Sequence, residues 1–477
     1  MNGNYLALDL GAESGRAMLA TLNNSQLQLA ELHRFPNTPV QLPTGLYWDT
    51  LRLFHEICEG IRAGARAVET LDGIAVDTWG VDFGLIGENG ELLQNPRHYR
   101  DARTNGVMEQ VFEKVPRAEI FRQTGLQFMA INSLYQLYSI QQESPEILPL
   151  TSKLLFMPDL FNYFLTGTYA AERTIASTSQ FYDPVRKAFT TDLLRKLGID
   201  SGFLPALIDP GVELGPLLPY ITDRCSLKRD TNVYTTGSHD TASAVAAVPA
   251  AEGENWCYIS SGTWSLIGLE LREPLINDES LNANYTNEVG IDGAIRFLKN
   301  IPGMWLLQEC RRAWAKEGCE YSYTELMQRA ASARIMRTIL DLEQFNSPGD
   351  QPQRIREYCK QTEQEAPNDA GEITRVILQS LAVRYRDILV TLEKLANRKI
   401  DVIHIVGGGS RNRLLNPLAA DVTGRRVIAG PAEATAAGNA LTQAMGAGDI
   451  KSLDELRAVV RKSFELEPFE PRASTAK

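Results

Sequence analysis

Three observations predict an α/β protein of two domains. The chain has 477 residues, long for one hydrophobic core. Runs of alternating or continuously apolar residues, the mark of strands, are interleaved with helical patterning. Two similar strand–turn–strand stretches, "YLALDLGAESGRAML" (residues 5–19) and "WCYISSGTWSLIGLEL" (256–271), open the two halves. The boundary is placed in the loop "VPAAEGENW", which gives domains 1–248 and 249–477.

Taken in order, "YLALDLG", "RAMLATL", "QLQLAELHRF" and "GIAVDTWGVDFGLI" read as strands bounded by turn residues. Residues 105–195 read mostly as helices and loops, with "MPDLFNYFLTG" a short amphipathic helix ended by Gly167. "TNVYTTGSHDTASAVAAV" gives a strand, a sharp turn at Gly237 and a helix from about Ser238. After the second hairpin comes a long helix, "GEITRVILQSLAVRYRDILVTLEKLANR". It places Ile373, Val376, Ile377, Leu381, Tyr385, Ile388, Leu392 and Leu395 on one face. "DVIHIVGGGSRNRLLNPLAADVTGRRVIAG" then reads as strand, three glycines, helix and strand. "FNSPGDQPQR" (345–354) is expected to be a surface insertion, and the tail after Phe469 to be disordered.

Composition narrows the function classes. Hydrophobic residues at 44% against charged ones at 22% describe a folded chain rather than a disordered one. A net charge of -11 argues against a nucleic-acid partner, which would call for clustered Lys and Arg. No apolar run approaches the roughly 20 residues that span a bilayer, and "MNGNYLALDL" lacks the basic start and cleavage site of a signal peptide. A cytoplasmic protein with no membrane partner is expected. The six cysteines lie apart without a CxxC pair, and the five histidines show no ligand spacing, so neither a disulfide nor a zinc site is expected.

The turns carry the chemistry. A glycine-rich turn lets backbone amides approach a phosphate because no Cβ stands in the way. The strand–helix motifs GxxxxGK[ST] and GxGxxG are absent, so a strand–turn–strand cradle would have to do this work, with the Ser14 and Thr263 hydroxyls and the Arg16 charge assisting. Asp9 is either an acid that starts the turn or a group that orients a hydrated Mg²⁺. Asp240 is either a first-turn acid behind a Ser238 cap or a carboxylate presented at a strand's carboxyl end, with a pKa lowered by the helix N-terminus. "DTWGVDF" (77–83) mixes a ring, a glycine and two acids as sugar sites do, although alternation cannot point Asp77, Trp79 and Asp82 the same way. "YRDART" (99–104) is expected to be an exposed charged loop, with leaning over a sugar site as the alternative. The glycines of "VGGGS" serve either a flat adenine or ribose or a tight strand–helix junction.

Together "DLGAESGR", "IAVDTWGVDF", "GSHDTASAV", "SSGTWSLIG", "LKNIPGMWLLQE" and "VGGGSRNRLLNPLAADVTGRRVIAGPAEATAAGNA" resemble the FGGY carbohydrate kinases of the actin-like ATPase superfamily, from about residue 5 to 465. The resemblance implies two ribonuclease H-like domains flanking a nucleotide and sugar cleft, with ATP and Mg²⁺. The implied reaction transfers the γ-phosphate to the 1-hydroxyl of L-rhamnulose in L-rhamnose catabolism. By position it implies Ala12, Glu13, Ser14, Gly15, Arg16, Thr263, Gln308 and Gly408 as ATP contacts. It implies Asp240 as the proton acceptor, with Gly80, His239, Thr241 and Asn300 as the other sugar contacts. Asp9 is the candidate for holding Mg²⁺ through water. The partners implied are a ketose and ATP, with no obligate protein partner. "NPLAADVTG" holds no cysteine, so no disulfide is implied there. Two rival readings are a kinase of L-fuculose or another ketose, and an actin-like ATPase without a sugar substrate.

Overall fold

The computed structural model describes residues 2–228, 231–345 and 347–472. The chain forms two compact units that are not contiguous in sequence. One holds Met1–Val248, Glu270–Phe297 and Ala434–Phe464; the other holds Pro249–Leu269, Leu298–Glu433 and Glu465–Lys477. Two stretches of the second half therefore group with the first unit.

In the first unit the strands run Gln26–Pro36, Ser14–Asn23, Asn2–Leu10, Gly73–Thr78, Asn232–Tyr234 and Glu213–Pro216. The hairpin Asn2–Leu10 with Ser14–Asn23 is antiparallel, while Gly73–Thr78 and Asn232–Tyr234 add in parallel. From Tyr5 to Leu10 every residue is buried, as a central strand covered on both faces requires. On one face the helix Thr50–Ala67 buries Leu53, Ile57 and Ile61 into a cluster with Leu6, Leu8, Ile74 and Val76. The helix Ala434–Gly446 packs on Asn2–Leu10 and on the short helix Asp240–Ala246. Its run of Ala434, Ala436, Ala437, Gly438 and Ala440 permits this, since a Cβ on Gly438 would stand 1.8 Å from the Ser243 carbonyl oxygen.

The second sheet has seven strands, in the order Thr286–Val289, Ile295–Pro302, Trp264–Leu271, Trp256–Ser261, Val402–Val406, Arg426–Ala429 and Glu467–Phe469. Here Trp256–Ser261 pairs antiparallel with its hairpin partner Trp264–Leu271 and parallel with Val402–Val406. The two sheets thus repeat one plan: hairpin, two parallel additions, antiparallel edge. The long helix Ala370–Ala396 buries the expected Ile373, Val376, Ile377, Leu381, Tyr385, Ile388 and Leu392, with Leu395 only half-buried. The helix Met157–Thr166 ends on Gly167 at φ +78, in the left-handed region that favours glycine.

Several local expectations are corrected. "GIAVDTWGVDFGLI" is two strands, Gly73–Thr78 and Phe83–Gly87, separated by Val81 at φ +69. The strand Thr151–Phe156 pairs with Phe83–Gly87 inside the stretch read as helical. The expected insertion at 345–354 is exposed at 347–350 but anchored at both ends: Phe345 is buried, and Gln351, Pro352, Ile355 and Cys359 are the buried face of the helix Gln351–Gln361. Asn346 lies outside the described residues. Of the tail expected to be disordered, Arg472 bonds Asp421 at 2.8 Å through its amide and 2.9 Å through Nε; residues 473–477 lie outside the described residues. Among the described residues no helix is long and apolar enough to cross a membrane.

Candidate active site

The first hairpin places Arg16 opposite Asp9, and the parallel neighbour places Asp77 opposite Asp9 on the other side. Arg16 Nη2 donates to Asp9 Oδ2 at 2.5 Å. Asp77 is fully buried, with Oδ2 accepting from Asn439 Nδ2 at 2.5 Å and Oδ1 left without a hydrogen bond. Burial, and then the Asp9 charge, push Asp77 well above the usual carboxylate range, toward its neutral form. Asp240 acts on Asp77 as well, so three acids share one neighbourhood.

The turn itself is tied down from below. Gly11 N–H donates to the Ser14 carbonyl at 3.0 Å, and Asn37 donates its amide to Glu13 O and its side chain to Gly11 O, both at 2.9 Å. Glu13 is exposed and Ala12, Ser14 and Arg16 are half-buried, so the tip reaches solvent. The two glycines serve different ends, and neither has a positive φ. A Cβ on Gly11 would approach nothing closer than Ser14 O at 3.4 Å, which keeps this side open. At Gly15 a Cβ would enter the Phe35 ring at 2.2 Å, so packing alone already requires a glycine here.

His239 and Asp240 start a seven-residue helix, Asp240–Ala246. The cap is His239 and not Ser238, because Ser238 is held in extended chain: its carbonyl accepts from Thr78 N at 2.9 Å and its amide donates to Glu172 Oε2 at 3.3 Å. The Asp240 side chain remains 30% exposed. Its Oδ1 accepts from Thr241 Oγ1 at 3.1 Å and lies 3.5 Å from His239 Nε2. The expected lowering of its pKa is reversed. Loss of water around the carboxyl raises it, with the Asp9 charge adding to the rise, and together they outweigh His239 and the bonds at Thr241. A Cβ on Gly80 would stand 3.4 Å from His239 Nε2, which places Gly80 in the same patch as His239, Asp240 and Thr241.

The other acid of "DTWGVDF" lies in the interior. Asp82 is fully buried and accepts from Trp48 Nε1 (2.6 Å), Trp79 Nε1 (2.9 Å), Tyr99 N (3.2 Å) and Gln136 Nε2 (2.8 Å). Burial pushes it up to about 6 against the pull of those donors. Of the rings it holds, Trp48 is tilted against Trp79 at 4.0 Å and stacks on His98 at 4.1 Å, centre to centre. "YRDART" is correspondingly no exposed loop, since Tyr99, Asp101 and Thr104 are buried.

In the second unit, Thr263 forms the tip of the second hairpin, closed by Gly262 N–H donating to Trp264 O at 2.8 Å. Gln308 Nε2 donates to Thr263 Oγ1 at 3.3 Å, from the helix Trp305–Lys316 whose start is seated by Gly303 and Trp305 amides on Thr263 O. "VGGGS" forms a tight strand–helix junction with one open position. Gly407 takes φ +79 and Gly409 abuts Ser261, whose Oγ would be 2.0 Å from a Cβ, whereas nothing lies within 4 Å of one on Gly408. Ser261 and Gly409 thereby bring the second hairpin and the glycine turn together, with Thr263, Gln308 and Gly408 around them. Asn300 belongs to this second unit, half-buried on the strand Ile295–Pro302, and not to the unit of Gly80, His239 and Asp240.

Sequence reasoning missed Asn37, Asn439, Glu288 and Arg296. Asn439 is an amide in an alanine-rich helix, and its only sequence signal was a pair of amides, Asn439 and Gln443, one turn apart. Glu288 and Arg296 stand in the stretch that joins the first unit from the second half.

The comparisons agree with this architecture. The N-terminal domain of the FGGY family of carbohydrate kinases matches residues 4–247, and the C-terminal domain of that family matches 257–447. The chain is 41% identical to a rhamnulokinase of Bacteroides thetaiotaomicron, across 100% of this chain and 97% of that one. It is 38% identical to a rhamnulokinase of Bacillus subtilis, across 98% and 95%. In fold it is similar to gluconate kinase from Lactobacillus acidophilus (TM-score 0.80, 16% identity, 99% and 94% covered). It is also similar to xylulose kinase from the same organism (TM-score 0.77, 15% identity, 98% and 94% covered). With both domains matched in order over nearly its whole length, the chain belongs to the FGGY family of carbohydrate kinases.

Proposed function

We propose that this chain transfers the γ-phosphate of ATP to the 1-hydroxyl of L-rhamnulose. The name carried by relatives 41% and 38% identical over 97% or more of the chain supports the ketose. The observation that carries the chemistry is Asp240, a partly exposed carboxylate engaged through Oδ1, beside His239, Thr241 and Gly80. Its other oxygen serves to orient the attacking hydroxyl and take its proton. In a loose phosphoryl transition state that proton leaves late, so orientation is the greater demand. His239, Thr241, Gly80 and Asn300 are assigned to the sugar. Ala12, Glu13, Ser14, Gly15, Arg16, Thr263, Gln308 and Gly408 are assigned to ATP.

The residues fit a hydrated cation on the ATP phosphates. Asp9 and Asp240 outnumber the Arg16 guanidinium, and the Asp77 Oδ1 beside them is left without a hydrogen bond. Asp9 would hold such an ion through water, since among the described residues no three His, Cys, Asp or Glu side chains converge as ligands. When bound, Mg²⁺ neutralises charge on the phosphate oxygens.

A coupled assay of ADP release with L-rhamnulose, L-fuculose, L-ribulose and D-xylulose tests the reading. L-rhamnulose is expected to give the highest kcat/KM, and a preference for another ketose reassigns the substrate. Asp240→Asn is expected to lower kcat roughly 10²- to 10⁴-fold. Near-normal kcat in that variant removes Asp240 as the acceptor.

A further inference from the structure

Behind His239 lies a buried ion pair outside the assigned machinery. Arg296 is fully buried and Glu288 nearly so. Arg296 Nη2 stands 3.1 Å from Glu288 Oε2 and 3.1 Å from His239 Nδ1, and Arg296 Nε donates to the Val289 carbonyl at 3.1 Å. Glu288 Oε2 is itself 3.3 Å from His239 Nδ1. A guanidinium has donors only. Its terminal NH₂ can only donate, and His239 Nδ1 stands within hydrogen-bond reach as the acceptor, while Glu288 Oε2 supplies the counter-charge. A proton on Nδ1 would point an N–H at the guanidinium, whereas a bare Nδ1 completes the triangle. The ring proton then belongs on Nε2, the nitrogen 3.5 Å from Asp240 Oδ1. The backbone fixes the ring's base, with His239 N–H donating to Thr174 Oγ1 at 3.2 Å.

We propose that Arg296 and Glu288 are positioning residues that hold His239 in its Nε2–H tautomer, directing this N–H to Oδ1 of Asp240 and leaving Oδ2 for the sugar hydroxyl. The catalytic part of this rests on Asp240 being the proton acceptor. The tautomer does not. Glu288 is needed because a buried guanidinium without a counter-charge is strongly unfavourable. Arg296 is needed because Glu288 alone would draw the ring proton to Nδ1 and turn an acceptor toward Asp240.

Two measurements on the full-length protein separate these claims. The first is the side-chain ¹⁵N spectrum of the ligand-free protein, with His239 assigned by the signal lost in His239→Gln. Proton attachment at Nε2, with Nδ1 unprotonated, is expected; attachment at Nδ1 overturns the proposal whatever the enzyme's substrate. The second is the double variant Glu288→Gln, Arg296→Leu, which removes both charges at once so that neither is stranded. With a cooperative melt retained, its kcat is expected to fall about 10- to 100-fold, as for a lost supporting partner, with KM for ATP unchanged and the His239 pattern altered. Wild-type kcat with an unchanged His239 pattern assigns the pair to stability alone and overturns the positioning role. Absence of ketose phosphorylation in the wild type would sink the functional reading while leaving the tautomer result intact.

Discussion

Asp240 is a carboxylate whose acidity is set by opposed neighbours. Loss of water raises its pKa most, His239 lowers it, and Asp9 raises it again. As a proton acceptor it works only when ionised, so kcat/KM should fall as pH drops through a value above the ordinary Asp figure of about 3.9. His239→Ala removes the largest lowering influence, so the acid limb of the pH–kcat/KM profile should move up. A limb that stays or moves down would mean that another group titrates. The glycine turn offers a contrast between neighbours. Gly408→Ala meets nothing within 4 Å, so stability should change by less than about 0.5 kcal/mol while KM for ATP rises. Gly409→Ala drives a methyl into Ser261 and should destabilise by about 1–3 kcal/mol, with Ser261→Gly restoring part of the loss in thermal melts. An unchanged KM for ATP in Gly408→Ala would take that residue out of the nucleotide site.

At the scale of elements, the helix Ala434–Gly446 reaches the candidate site from the far end of the sequence. Gly438 lets it approach the helix Asp240–Ala246, and Asn439 then reaches Asp77. Gln443, one turn on, donates to Asn439 Oδ1 at 2.7 Å and to the Leu6 carbonyl at 3.2 Å. A Cβ on Gly438 meets backbone at Ser243, which has no side-chain rotamer to yield, so the helices must part. Gly438→Ala should therefore lower Tm and kcat together, and no shortening of the Ser243 side chain should rescue either. Loss of Tm with kcat intact would show that the helix contact does not position Asp240.

At the scale of the whole molecule, the two sheets share one strand plan, yet the units are built from interleaved segments. A fragment of residues 1–248 would lack the Ala434–Gly446 cover on its central strand and the Glu288–Arg296 pair behind His239. It should consequently fail to give a dispersed ¹H–¹⁵N spectrum, and a well-dispersed spectrum would show that the later segments are accessory. The family model nevertheless ends its N-terminal domain at residue 247, because sequence similarity follows the chain whereas contacts follow the core.

The hairpins, the long helix and the residue types at the turns were legible in the sequence. They depend on local periodicity and on turn chemistry, which a single segment carries within itself. The position of Asp240 was legible for the same reason, and its acidity was not. Whether a helix terminus or loss of water prevails depends on how many atoms from distant segments crowd one carboxyl. Likewise the glycine at Gly15 answers Phe35, the cap falls on His239 because Thr78 and Glu172 hold Ser238, and Arg296 reaches His239 across 57 residues. Such pairings follow from where the packed core brings chain segments together, and no periodicity within a segment encodes them.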